Sequence, residues 1–170
     1  MPNTLSALGI AHTLISVPPI ISGLYCFVRY GRIRASDLSG RIYLVGLSLS
    51  VLTSFGLSST GGLNPGHVLG ALALIAAFAS SLLVPRLTSL GRLSPYLEAF
   101  GPSFSFFLLL VPGTVETLKR LPVAHPFATG PQDPVVGKAL LSLLTVFLTG
   151  FTLQCRAIWA KRRRMAAVQS

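Results

Sequence analysis

Residues 135–164 read VVGKALLSLLTVFLTGFTLQCRAIWAKRRR. The seventeen residues between Lys138 and Arg156 carry no charge, and the run closes on Trp159 and four basic residues, Lys161, Arg162, Arg163 and Arg164. An α-helix rises about 1.5 Å per residue, so this run with its flanks covers a hydrocarbon core about 30 Å thick. An amphipathic ring followed by a basic cluster marks that end as a membrane interface. A helix of this kind needs lipid around it, and that requirement sets the fold class for the rest of the chain.

Toward the N-terminus four more apolar stretches occur, at residues 5–28, 42–58, 66–85 and 102–118. Together with 135–158 they predict an all-α integral membrane bundle of five transmembrane helices, folded as a single domain over residues 1–170. The 170 residues are 51% hydrophobic and only 11% charged, too apolar for a soluble domain of this size. Five crossings put the first and third connections and the C-terminus on one face. Arg29, Arg32, Arg34 and Arg41 fall in the first connection, Arg86 and Arg92 in the third, and Lys161–Arg164 at the end. The opposite face keeps Lys119, Arg120 and Lys138. The positive-inside rule then places the N-terminus outside and the C-terminus inside, as expected for the inner (cytoplasmic) membrane of a bacterium.

The net charge of +10 reads the same way. Juxtamembrane arginines orient the protein and draw anionic lipid to the inner face, at roughly 1 kcal/mol per residue near the surface. They do not form the basic face of a nucleic-acid binder. Tyr25, Tyr30, Tyr43, Tyr96 and Trp159 are expected at the same inner interface. Cys26 and Cys155 fall near the inner ends of the first and last crossings, where thiols stay reduced and act as small apolar residues. Met1 to Leu8 contains no Lys or Arg, so the first segment reads as an uncleaved anchor.

Proline predicts irregularity in two crossings. Pro18-Pro19 should kink or unwind the first, and Pro112-Gly113 should disturb the outer half of the fourth. Residues 86–101 read as an inner loop, with 95–100 along the interface. The outer turn from Ser58 to Pro65 draws flexibility from Gly61-Gly62, and Asn64-Pro65 suits a helix N-cap and first turn. In the third crossing Gly66, Gly70, Ala73 and Ala77 make a small-residue row that predicts close helix packing. The outer loop from Pro122 to Pro134 holds four prolines and cannot be helical throughout.

Few residues could carry chemistry. His12, His67 and His125 all map toward the outer face, and Glu116 approaches the same face. Three imidazoles and a carboxylate are a set that a transition metal could use, and His12 with His67 could hold a b-type haem between helices. None of the four stands at i, i+3 or i+4 from another, so the spacing does not force them together. His67 has a second reading as the group that satisfies its own helix terminus. Glu116 has one as the partner of Lys119 and Arg120, at i+3 and i+4. There is no phosphate loop, no G-x-S-x-G, no H-E-x-x-H and no C-x-x-C, so no catalytic residue is assigned.

His12, the basic turn Arg29–Arg34, Gly40-Arg41-Ile42-Tyr43 and Gly66-His67-Val68-Leu69 form an ordered series. Over residues 12–76 the chain resembles small bacterial multi-span proteins classed as predicted membrane proteins of unknown function. The His-Arg pair those proteins carry before Gly-Arg is absent here, replaced by Asp37-Leu38-Ser39, so no function of that inner histidine carries over. The resemblance implies an integral membrane fold and no defined activity. The expected function is a small integral membrane protein of undefined activity, an accessory or subunit-type component able to form homo- or hetero-oligomers. The alternatives are a haem- or metal-binding redox protein using the outer histidines, and a transporter or channel component with Glu116 near its path.

Overall fold

The structure is a computed structural model and describes residues 6–57, 62 and 64–168. These residues form helices without strands. Five helices are long and apolar enough to cross a membrane: α1 (Ala7–Tyr30), α2 (Leu38–Ser54), α3 (Pro65–Phe78), α4 (Ser94–Arg120) and α5 (Pro134–Val168). A 3₁₀ turn over Phe55–Leu57 lengthens α2, and a π-helical segment over Ala79–Leu83 with a 3₁₀ turn over Val84–Arg86 lengthens α3. Most of the expected outer turn, 58–61 and 63, lies outside the described residues. Asn64 and Pro65 do open α3 as expected, as N-cap and first helical residue.

α1 and α2 form an antiparallel pair with one register along its whole length. His12 meets Thr53, Ser16 meets Ser50, Gly46 lies against Pro19, Gly23 lies near Tyr43, and Cys26 donates to Ser39. The register depends on close approach: a side chain at Gly46 would come within 2.7 Å of the Pro19 ring. This contact also bears on Pro18-Pro19, where of the expected kink or unwinding the helix shows no unwinding. α1 is continuous from Ala7 to Tyr30, with Pro19 fully buried against α2. Proline costs the helix backbone hydrogen bonds, but its φ is already helical, and packing against the glycine holds the turn in place. Beside this contact Pro18 lines an apolar groove of about 530 Å³ along the seam of the two helices, with Arg41, Ile42, Val45 and Gly46 along it.

α3 packs on α4, where the small-residue row is largely used: Ala73 and Ala77 are buried, and Gly70 lies on Val51 of α2. The fourth crossing differs most from expectation. Residues 94–100 are the first turns of α4, and Pro112-Gly113 does not interrupt it. Pro95 sits in the first turn, where its missing N–H would have no partner in any case. Gly91, at φ +44°, makes the turn between the third and fourth spans instead. Tyr43 is a second correction. It is a core residue, fully buried between α1 and α4, with its hydroxyl 2.6 Å from the Ser105 hydroxyl. The other mapped aromatics stay accessible. Tyr25 and Tyr30 pack edge to face, and Trp159 lies under the Arg163 guanidinium at 4.7 Å.

α5 lies on the outside of the bundle. It buries Val136 and little else fully, and it is held to α4 by a phenylalanine ladder. Phe147 and Phe151 interleave with Phe100, Phe104 and Phe107 at centroid distances between 5.1 and 6.3 Å. Large apolar side chains such as Leu14, Ile21, Leu52, Ile75, Leu141 and Val146 point outward at more than 60% exposure. That surface matches hydrocarbon and not water. Cys26 is buried, Cys155 is half-buried, and both are free thiols.

Candidate functional site

The predicted ligand set is distributed along the end of the bundle away from the basic connections. His67 is the third residue of α3, and Asn64 makes a reciprocal cap with it. The Asn64 side chain accepts from the His67 N–H at 3.1 Å, and the Asn64 N–H donates to His67 Nδ1 at 3.2 Å. Nδ1 is therefore the acceptor, and Nε2 carries the proton it donates to the Ser54 carbonyl at 2.9 Å. The ring is almost fully buried and stacks on Phe55 at 4.7 Å. Both nitrogens are used in joining α3 to the end of α2, and neither has a lone pair to spare for a metal.

His12 reaches the adjacent residue of α2, with Nδ1 2.9 Å from the Thr53 hydroxyl. Glu116 takes Lys119 at 3.0 Å and Arg120 at 2.9 Å, the helical pairing its spacing predicts. His125 is exposed in the loop before α5. Among the described residues no three His, Cys, Asp or Glu side chains come together as a metal-binding group.

The same loop is tied down by Asp133, whose carboxylate accepts from the Thr129 and Val135 backbone N–H groups. These hydrogen bonds hold its carboxyl below the ordinary carboxylate range.

A polar cavity that the sequence does not announce lies at the basic end. Gly31, at φ +71°, closes α1 with a left-handed residue and turns the chain across the bundle. Ile33 then anchors in the core, Arg34 pairs with Asp37 at 2.9 Å, and Arg41 donates to the Ala35 carbonyl. The connection is pinned so that residues 32–36 face the π-helical end of the third span. Between them is a cavity of about 340 Å³, lined by Arg32, Arg34 and Ser36 on one side and by Ser80, Ser81 and Glu98 on the other.

The wall opposite the arginines comes from a local departure from α-helix. Over Ala79–Leu83 the backbone widens to π geometry, and Val84 N–H reaches back to the Ala79 carbonyl. Short π segments of this kind are frequent at functional sites. Ser80 is buried and returns its proton to Ala76 O. Directly beside it Gly101 of α4 makes a close approach, where a Cβ would collide with the Ser80 side chain and the Ala76 carbonyl. That contact brings Glu98, one turn earlier on α4, to the cavity.

Among the described residues two polar groups around this cavity, Arg32 and the Ser81 hydroxyl, lack partners, and a third, Glu98, lacks a cation. Arg32 is half-buried, with no hydrogen bond or ion pair. Glu98 is half-buried and takes one hydrogen bond, from Ser94 at 2.7 Å, but no cation. The Ser81 hydroxyl has none. No polar side-chain atom sealed inside the described bundle is unsatisfied. The unpartnered groups at this site therefore look onto open space.

Two long-range contacts show that the cations share one end. Gln154 of α5 donates to the Gly31 carbonyl at 2.8 Å, and the Arg162 guanidinium bonds the Arg92 carbonyl. Residues from the first connection, the third connection and the last helix thus assemble at the same level. The chain matches no family model, no curated protein and no solved structure in comparisons with known proteins.

Proposed function

We propose that this protein is an accessory or subunit-type component of a bacterial cytoplasmic membrane, with its basic end in the cytoplasm and its N-terminus outside. The observation that carries the reading is the gathering of Arg29, Arg32, Arg34, Arg41, Arg86, Arg92 and Lys161–Arg164 at one end of five apolar helices, brought together through Arg162 on Arg92 and Gln154 on Gly31. An end so charged is retained on the cytoplasmic side and attracts anionic lipid. The opposite end carries only Lys119, Arg120 and Lys138, and the first two are neutralised in part by Glu116.

A redox role through His12 and His67 has less support, because His67 would have to abandon its helix cap to take a ligand. Single cysteines at His125 and at Ala166, in a background with Cys26 and Cys155 replaced by alanine, test the topology in intact cells. A membrane-impermeant maleimide should label position 125 from outside and position 166 only after lysis. Labelling of both from outside would overturn the reading.

A further inference from the structure

The geometry points to the 340 Å³ cavity at the basic end as a binding site for a zwitterionic amino-phosphate head group, of the phosphoethanolamine type. Arg32 and Glu98 face it from opposite walls, both half-buried, and they do not pair with each other or with any other charged side chain among the described residues. A ligand bearing only an anion would satisfy Arg32 but set a second negative charge beside Glu98. A ligand bearing only a cation would do the reverse. A phosphate joined to a primary ammonium by two carbons satisfies both walls at once.

The Arg32 guanidinium suits phosphate through paired N–H donors, with the Ser81 hydroxyl free in the same lining, while Arg34 and Ser36 are engaged by Asp37. The carboxylate suits an ammonium that still has hydrogens to donate. Next to the cavity, Leu82 and Leu83 on the same π segment are 44% and 58% exposed. They offer an apolar path away from the head group, which favours a membrane lipid over a free metabolite as the source. The inference rests on the membrane placement proposed above but not on which compartment the basic end faces.

It also makes a demand that diffuse attraction does not. A general basic surface prefers anionic phosphatidylglycerol, whereas this cavity prefers phosphatidylethanolamine. Purified full-length protein in mild detergent would be titrated with short-chain phosphatidylethanolamine, phosphatidylcholine and phosphatidylglycerol, and with soluble phosphoethanolamine. Bound lipid is read by native mass spectrometry.

Phosphatidylethanolamine should bind about tenfold more tightly than the other two, a difference of about 1.4 kcal/mol. Glu98→Gln should abolish its advantage over phosphatidylglycerol, and Glu98→Asp should keep it. Arg32→Gln should weaken all three lipids. Saturation by soluble phosphoethanolamine at the lipid's own affinity would support the same chemistry and assign the ligand to a free metabolite. Equal binding of the three lipids to the unaltered protein, or tighter binding of phosphatidylglycerol, would overturn the proposal even if a variant failed to fold. So would a folded Glu98→Gln that kept the preference. The maleimide test above fails or succeeds independently of these titrations.

Discussion

His67 illustrates how little an ionisable residue's position in sequence says about its work. An imidazole at the mouth of a membrane helix invites a ligand reading, yet both ring nitrogens are spent on Asn64 and on Ser54 of the neighbouring helix. Asn64→Ala should cost about 1 kcal/mol through loss of the cap. Faster hydrogen exchange of the first α3 amides, with the rest of the bundle unchanged, would report it. Asp133 caps α5 in the same manner through the Val135 N–H. Its carboxyl titrates lower in the folded state than in the unfolded chain, so its contribution is fully present above the ordinary carboxylate range. That contribution is lost as pH falls through the depressed folded value. The protection of the Val135 and Val136 amides relative to their intrinsic exchange at each pH should therefore fall on acidification through the carboxylate range, and Asp133→Ala should remove that dependence.

The elements are held by two kinds of contact, and each predicts its own failure. Where α3 and α4 meet, Gly101 leaves no room for a side chain. Gly101→Val should push the helices apart and destabilise the bundle by about 1–3 kcal/mol, read as a lower thermal midpoint in detergent. The same displacement would pull Glu98 from its cavity. α5 depends instead on its phenylalanine ladder. Phe147 contacts Phe100, Phe104, Phe107 and Phe151. Aromatic pairs of this kind contribute about 0.5–1.5 kcal/mol each beyond burial. Phe147→Ala should loosen α5 selectively, seen as faster proteolysis in the segment around residues 121–133 while α1 and α2 stay protected.

At the scale of the whole molecule, apolar surface faces outward and small or polar residues lie within. Tyr43, Ser105, Ser22, Ser50 and Ser103 are buried, while most large aliphatics are exposed. In a bilayer the helices gain nothing by hiding leucine from lipid, so close backbone approach and interhelical hydrogen bonds hold them together. Cys26 reports on this interior. It is fully buried at the α1–α2 contact and donates to Ser39. Its alkylation should follow global unfolding in denaturant, whereas Cys155 should react first, from the less protected α5.

Five crossings, their order and the gathering of arginine at alternate connections are legible in the chain. They follow from run length and charge, which lipid reads one segment at a time. The α3 cap at Asn64-Pro65 and the Glu116 pairings are legible for the same reason, since partners three or four residues apart meet on any helix. The continuity of α1 through proline was decided by a neighbour, since Pro19 rests on Gly46, and α4 likewise runs unbroken through the buried Pro102 and through Pro112. The cavity of Arg32, Ser81 and Glu98 belongs wholly to tertiary structure. Its residues come from three segments up to 66 positions apart, and a turn at Gly31, a π segment and a bare glycine must all be in place before they face one another.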